Sequence, residues 1–203
     1  DMQYGDAHPD YGLGPFLRKE YPEVFQYRFS RISEVVLPNL ILLLDFFRAN
    51  GLRVIYLTVG ASLADSSDLI WLWRKAMGDT KIMGARGTSK HAILPEVAPQ
   101  EGDLIMNKTS QSAFTSTGFD QTLRNLGVEG LVFTGVSTHN CVGLTSRDAA
   151  DRGYLCVIAE DACAGVSQQL HDEALRIFYV NHGPVQNTAE ILTAFQQTLD
   201  ISQ

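Results

Sequence analysis

Val35, Val36, Leu40, Ile41, Leu43, Leu44 and Phe47 recur at three- and four-residue intervals, which predicts a helix over 34–50 with Gly51 as its C-terminal stop. Pro38 has to lie in the first turn of that helix or kink it. The run RVIYLTV over 53–59 is short, β-branched and aromatic, and reads as a buried strand. Residues 60–102 show little periodicity and carry Gly60, Gly78, Gly84, Gly87, Pro95, Pro99 and Gly102. They read as a long excursion with one short helix around 69–76. Loops of that length usually serve function or cover something.

Beyond residue 102 the alternation becomes regular. Strands are expected at 103–107 (DLIMN), 130–136 (GLVFTGV), 154–159 (YLCVIA) and, briefly, 184–186. Helices are expected at 120–126, closed by Gly127, at 139–152, closed by Gly153, and at 168–180 and 188–199. Repeated strand–helix units with continuously apolar strands indicate an α/β fold whose parallel sheet is covered on both faces. No internal repeat, low-complexity stretch or domain boundary interrupts the chain, so a single domain over 1–203 is expected.

Composition narrows the function. Hydrophobic residues make up 45% and charged residues 19%, and the formal net charge is −7. That balance gives no attraction to nucleic acid or to an anionic membrane, and no apolar run approaches the ~20 residues that span a bilayer. Cys141, Cys156 and Cys163 are an odd number without paired metal spacing. A disulfide scaffold is therefore not expected, and a reducing, cytoplasmic setting is. There is no signal-peptide pattern at the start. The chain opens on Asp1-Met2-Gln3 with no strand before it, so the sheet is expected to lack a first strand ahead of Asp1.

Ligands of an open α/β sheet bind outside the carboxyl ends of its strands. The strand DLIMN runs directly into Lys108, and GLVFTGV ends in Ser137-Thr138-His139-Asn140 and then Cys141, in the first turn of the next helix. If Asp1 ends a strand, it stands on the same rim. A cysteine at a helix N-terminus is biased towards thiolate by the macrodipole, and a neighbouring ammonium adds to that bias. Asp1 is then suited to accept the thiol proton and return it to a leaving amine. Backbone N–H groups around Ser137–Cys141 are suited to an oxyanion hole. Plainer readings stand beside these. Cysteine is among the most buried residue types, which suits Cys156 and Cys163 and applies to Cys141 as well. A lysine after a strand is usually solvated, and a terminal aspartate usually frays. His139 invites a Cys–His dyad, but two residues from the cysteine on a helix start it points elsewhere and better suits a pocket wall.

The segments KTSQSAF from Lys108, TGVSTHNCVGLTSRDAADRGY from Thr134 and EDACAG from Glu160 resemble those of the isochorismatase-like cysteine hydrolases. The opening DMQYGDAHPDYGLG is similar to that family's first motif, in which the aspartate of D-x-Q closes the first strand. Weaker matches are GTSKHAILPE from Gly87 and the ending over 183–192. The resemblance covers nearly the whole chain, with its motifs in order. It implies a three-layer α/β/α sandwich, Rossmann-like and doubly wound, and a triad of Asp1, Lys108 and Cys141. It also implies a non-proline cis peptide at Val136–Ser137 that shapes an oxyanion hole with Cys141, and no cofactor.

The family mostly cleaves small amides, and some members open the vinyl ether of isochorismate without the cysteine. Cys141 therefore favours an amide or ureido substrate, with a vinyl-ether hydrolase or a non-catalytic binding member as alternatives. Homodimers or homotetramers are expected from the same resemblance. Tyr4, Phe114, His139 and Asn181 are the candidate substrate contacts. Core packing competes for Phe114 and a helix cap for Asn181. Nicotinamidase-type members carry an Asp-x-His metal cluster after the second strand. Here that stretch is Thr58-Val59-Gly60-Ala61-Ser62, with no histidine until His91, so no metal is expected.

Overall fold

The computed structural model describes residues 1–77 and 84–201. Three helices, α1 (Tyr4–Ala7), α2 (Leu13–Glu20) and α3 (Pro22–Arg31), precede α4 (Leu37–Ala49). The expected helix over 34–50 is therefore the second half of a longer one. From Pro22 to Ala49 the chain stays helical, with a wide π-type turn at Ile32–Val36 in which the Leu37 N–H reaches the Ile32 carbonyl. Pro38 accounts for this turn: it donates no hydrogen bond and its ring crowds the carbonyl four residues back, and one wide turn relieves both.

Five strands follow: β1 (Ile55–Val59), β2 (Leu104–Lys108), β3 (Gly130–Val136), β4 (Leu155–Ala164) and β5 (Val185–Gln186). Every ladder is parallel. β1 pairs with β2, and β3–β4–β5 form a second group. Between them lie α5 (Trp71–Met77) in the long excursion, α6 (Ala113–Ser116), α7 (Phe119–Asn125), α8 (Gly143–Asp151) and α9 (Gln168–Asn181), and α10 (Thr188–Ile201) closes the chain. Lys108 thus ends β2 from inside the strand.

Side chains alternate across the sheet, as the pleat requires. Val132, Val136, Val157 and Ala159 pack with Leu40, Leu43 and Ile191 on one face, while Leu131, Phe133, Cys156 and Ile158 pack with Leu123, Ala149, Leu175 and Phe178 on the other. Parallel strands between two helical layers make the three-layer α/β/α arrangement.

β4 runs five residues beyond its expected end at Ala159. Phe133 pairs with Ile158 but Gly135 with Cys163, so 159–162 bulge out of the ladder. The carbonyls freed there find partners on the long helix. Arg31 donates to those of Glu160 and Cys163, and Asn39 to that of Asp161. The Asp161 carboxylate in turn accepts from the N–H and hydroxyl of Thr188 at the start of α10. Gly135, at φ +98°, a conformation that residues with a Cβ rarely adopt, lets β3 bend beside Asp1 and Met2.

The two strand groups are separated by a slot. β1 and β3 face each other across it without a shared ladder, and a cavity of about 440 Å³ fills the space. Leu57, Val132 and Leu44 are among its apolar walls, and it reaches Asp1, Lys108 and Cys141 at one end. No helix among the described residues is long and apolar enough to cross a membrane.

Candidate active site

Lys108 ends β2 as a buried ammonium, its side chain 1% exposed. Its Nζ donates to Asp1 Oδ2 at 2.9 Å and to Cys141 Sγ at 3.3 Å, and lies 5.7 Å from the centre of the Trp73 ring. Three residues more than thirty positions apart in sequence are thereby joined through one nitrogen. Asp1 is as buried as the lysine, and its second oxygen, Oδ1, has no hydrogen-bond partner among the described residues. A buried carboxylate oxygen without a partner is uncommon, and Cys141, which shares Lys108 with this carboxylate, is the only partly buried cysteine of the three.

Cys141 is carried by a wide turn, Thr138–Val142, that leads into α8. The helix expected over 139–152 therefore begins with an enlarged turn, anchored by the Ser137 carbonyl, which accepts from the N–H groups of Asn140 and Val142. Gly143 closes it, because a Cβ there would stand 2.6 Å from the Thr138 oxygen. The Val136–Ser137 peptide bond is cis. The other two cysteines are set apart by their surroundings: burial pushes the Cys156 thiol up to about 11 and Cys163 to about 12.

Around the cluster, several residues without a role in the sequence reading do structural work. Gln3 spans the gap beside β1: its amide donates to the carbonyls of Val59 and His91, and its oxygen accepts from the Val59 N–H. In D-x-Q the glutamine therefore locks the segment that carries the aspartate. The spacing and the strand over 53–59 are both legible in the sequence, but the bond between Gln3 and Val59 is not. Trp73, with Val59, Ala61 and Leu69, builds an apolar wall against which Cys141 packs. Its sequence signal was the pair Trp71 and Trp73 within the short helix expected around 69–76.

His91 Nε2 lies 2.7 Å from the Asn107 side-chain oxygen, and the Asn107 amide donates to the Gly60 carbonyl. The first histidine after β1 is thus engaged by an amide. Among the described residues, no group of three or more His, Cys, Asp or Glu side chains is placed to hold a metal ion.

The candidate substrate contacts are dispersed. Tyr4 follows the Asp1–Gln3 segment directly and forms an aromatic trio with His8 and Tyr11, with ring centres about 5 Å apart. His139 sits on the Thr138–Val142 turn with Nδ1 buried and unpartnered among the described residues. Burial, then the Arg28 charge, lowers its pKa. Phe114 packs on Phe119 and Tyr154 beneath the Arg152 guanidinium. Asn181 is exposed at the last residue of α9, where its amide donates to the Ile177 carbonyl. Neither of these last two is engaged with the Lys108 cluster.

The fold and cluster define an α/β domain whose strand ends gather a thiol, an ammonium and a carboxylate. The isochorismatase domain model matches residues 27–194, and the chain belongs to the isochorismatase family. It is 35% identical over 131 residues to a ureidoacrylate amidohydrolase (RutB) of Agrobacterium fabrum, a match covering 59% of this chain and 58% of that protein. The chain thus spans little more than half of that relative. An isochorismatase family protein of Bacillus subtilis, YwoC, is 29% identical over 163 residues, 79% of this chain and 83% of its own. Among solved structures, a cysteine hydrolase from Pseudomonas syringae pv. phaseolicola superposes with a TM-score of 0.82 at 25% identity, covering 97% of this chain and 90% of that one.

Proposed function

We propose that this chain hydrolyses the carbon–nitrogen bond of a small amide or ureido compound, with Cys141 as nucleophile, Asp1 as proton carrier and Lys108 as electrostatic anchor. The observation that carries this reading is the single buried ammonium within hydrogen-bond reach of both a carboxylate and a thiol. The amidohydrolase relatives support the substrate class.

In the first half-reaction Asp1 Oδ1 takes the thiol proton and Sγ attacks the carbonyl carbon. The tetrahedral oxyanion is held by N–H groups of the Ser137–Cys141 turn. It collapses with cleavage of the C–N bond, and the proton on Asp1 leaves with the nitrogen as ammonia or amine. In the second, Asp1 takes a proton from water, the hydroxyl oxygen adds to the thioester, and the acid departs as the proton returns to sulfur. Lys108 keeps its proton throughout and stabilises whichever neighbour is negative. Tyr4, which follows the Asp1–Gln3 segment, and His139, on the Thr138–Val142 turn, are the substrate contacts this reading retains.

Ammonia release from ureidoacrylate-type acids, N-carbamoyl amino acids, biuret, nicotinamide and simple lactams tests the proposal. Turnover of at least one class, abolished by Cys141→Ala with the fold intact, is expected. Mass spectrometry of quenched reactions should show the acyl group on the Cys141 peptide. Unchanged turnover in Cys141→Ala would overturn the mechanism, and no turnover of any member would overturn the substrate class.

The slot beside Asp1 belongs to the same reading. A strand running parallel to β1 and β3 and ending at Asp1 would pair with both free edges, merge the two ladders into one sheet and hold the carboxylate on the rim. The apolar walls and the position of Asp1 at the slot's end support it.

A further inference from the structure

The nucleophile turn is gripped from behind by two arginines that take no part in the chemistry above. Arg28 and Arg31 lie one turn apart on α3, on the face turned towards β4 and the turn. Arg28 is wholly buried, and each of its three nitrogens donates a hydrogen bond. Nη1 donates to Ser137 Oγ at 2.8 Å and to the Gly165 carbonyl at 3.2 Å, while Nε and Nη2 donate to the Asp6 carbonyl. The Asp6 carboxylate lies 3.9 Å from Nη2.

Arg31 reaches the next residue through an intermediary. Its Nη2 lies 3.0 Å from His171 Nε2, and His171 Nδ1 lies 2.8 Å from Thr138 Oγ1. A guanidinium only donates, so Nε2 accepts, Nδ1 carries the ring proton, and that proton is given to Thr138. Burial, then the Arg31 charge, pushes the His171 pKa down to about 4, which keeps the ring in this neutral form at neutral pH. His171 and Thr138 are both buried.

We infer that α3 acts as a two-armed clamp, Arg28 on Ser137 and Arg31 through His171 on Thr138, which sets the orientation of the turn presenting the Cys141 sulfur. These are positioning residues. They hold two consecutive side chains between the end of β3 and the cysteine, and a planar fork fixes direction as well as distance. An apolar contact would resist separation of the turn from α3 but leave its rotation free. The inference rests on Cys141 being the reacting group, and its first readout needs no substrate.

The test leaves both arginines in place and removes only what they hold. Ser137→Ala removes one arm's acceptor, Thr138→Val the other's, and Thr138→Ser keeps the hydroxyl. The rate of Cys141 alkylation by iodoacetamide, followed from pH 6 to 10 by peptide mass, reports the sulfur directly. Roughly a tenfold fall in rate or a displaced pH midpoint is expected in Ser137→Ala and Thr138→Val, with recovery in Thr138→Ser and near-UV circular dichroism unchanged. Where a substrate is in hand, kcat should fall with little change in KM.

Alkylation profiles identical to the unsubstituted protein in both variants would overturn the clamp and leave the arginines a packing role. An alkylation effect without turnover of any amide would instead keep the clamp and remove the hydrolase reading. If a variant unfolds, Arg31→Lys offers a second route. It keeps a cation at α3 but loses the fork shared among Glu160, Cys163 and His171, so the midpoint should again move.

Discussion

Lys108 concentrates the energetics of the site in one side chain. Its ammonium and the Asp1 carboxylate are both out of water, an arrangement whose Coulomb attraction roughly repays desolvation while both partners remain. Removing one partner does not return the other to solvent. Lys108→Met should therefore cost about 3–5 kcal/mol of stability as well as turnover, read from urea midpoints. The double variant Asp1→Asn, Lys108→Met should regain most of that stability and none of the activity; if it is as unstable as Lys108→Met alone, the loss lies in packing and not in an orphaned charge. The three cysteines make a second contrast at this scale. With Cys156 and Cys163 held up at about 11 and about 12 by burial, iodoacetamide at pH 8 should label Cys141 and spare the other two in the folded protein. Equal labelling of all three would mean that the turn confers no special access or reactivity on the thiol.

Among the elements, α3 and α9 are joined to the turn that carries Cys141 by the Arg31–His171–Thr138 chain, and this coupling has a pH signature. His171 titrates at about 4 in the folded protein against 6.5 unfolded, so the unfolded chain binds a proton first as pH falls. The stability that depends on neutral His171 is complete above pH 6.5 and is lost progressively between 6.5 and 4. The displacement corresponds to roughly 3 kcal/mol over that window. Urea midpoints of the unsubstituted protein should decline there, and those of His171→Gln should decline less; parallel declines would place the titration elsewhere. How such elements announce themselves in sequence differs. β3 was legible to the residue, because seven apolar or small positions between two turns admit few other structures. The helix expected over 34–50 is there, but its continuation back to Pro22 was not legible, because a proline reads as a boundary unless the compensating wide turn is seen. β4 beyond Ala159 carried Glu160 and Asp161, charges that signal a loop until the bulge and its partners on α3, α4 and α10 are known. Asp1, Lys108 and Cys141 could be read from strand ends and motifs. Arg28, Arg31, Gln3 and Trp73 could not, because their importance lies in partners up to 140 residues away.

At the scale of the whole molecule the two strand groups do not share a ladder among the described residues, and the slot between them leaves β1 and β3 each with an edge that pairs with no described strand. Backbone groups along such edges need partners, and apolar walls such as Leu44, Leu57 and Val132 cannot supply them. If the slot takes a parallel strand ending at Asp1, fusing about five valine and isoleucine residues ahead of Asp1 should fill it, since that length matches β1 at ~3.3 Å per residue. A fusion of the same length in glycine and serine gives the control, equal in chain length but poor in β-propensity and apolar area. The apolar fusion should raise the thermal midpoint by roughly 5–10 °C, the response of a chain this size to a few kcal/mol. It should also slow amide exchange along the facing edges of β1 and β3. Because the strand would fix the backbone of Asp1 beside Lys108, alkylation of Cys141 should change with it, linking the packing of the sheet to the reactivity of the thiol. Should both fusions melt and exchange alike, the slot is not a strand site, and Asp1 is held by Lys108 and the Gln3 lock alone.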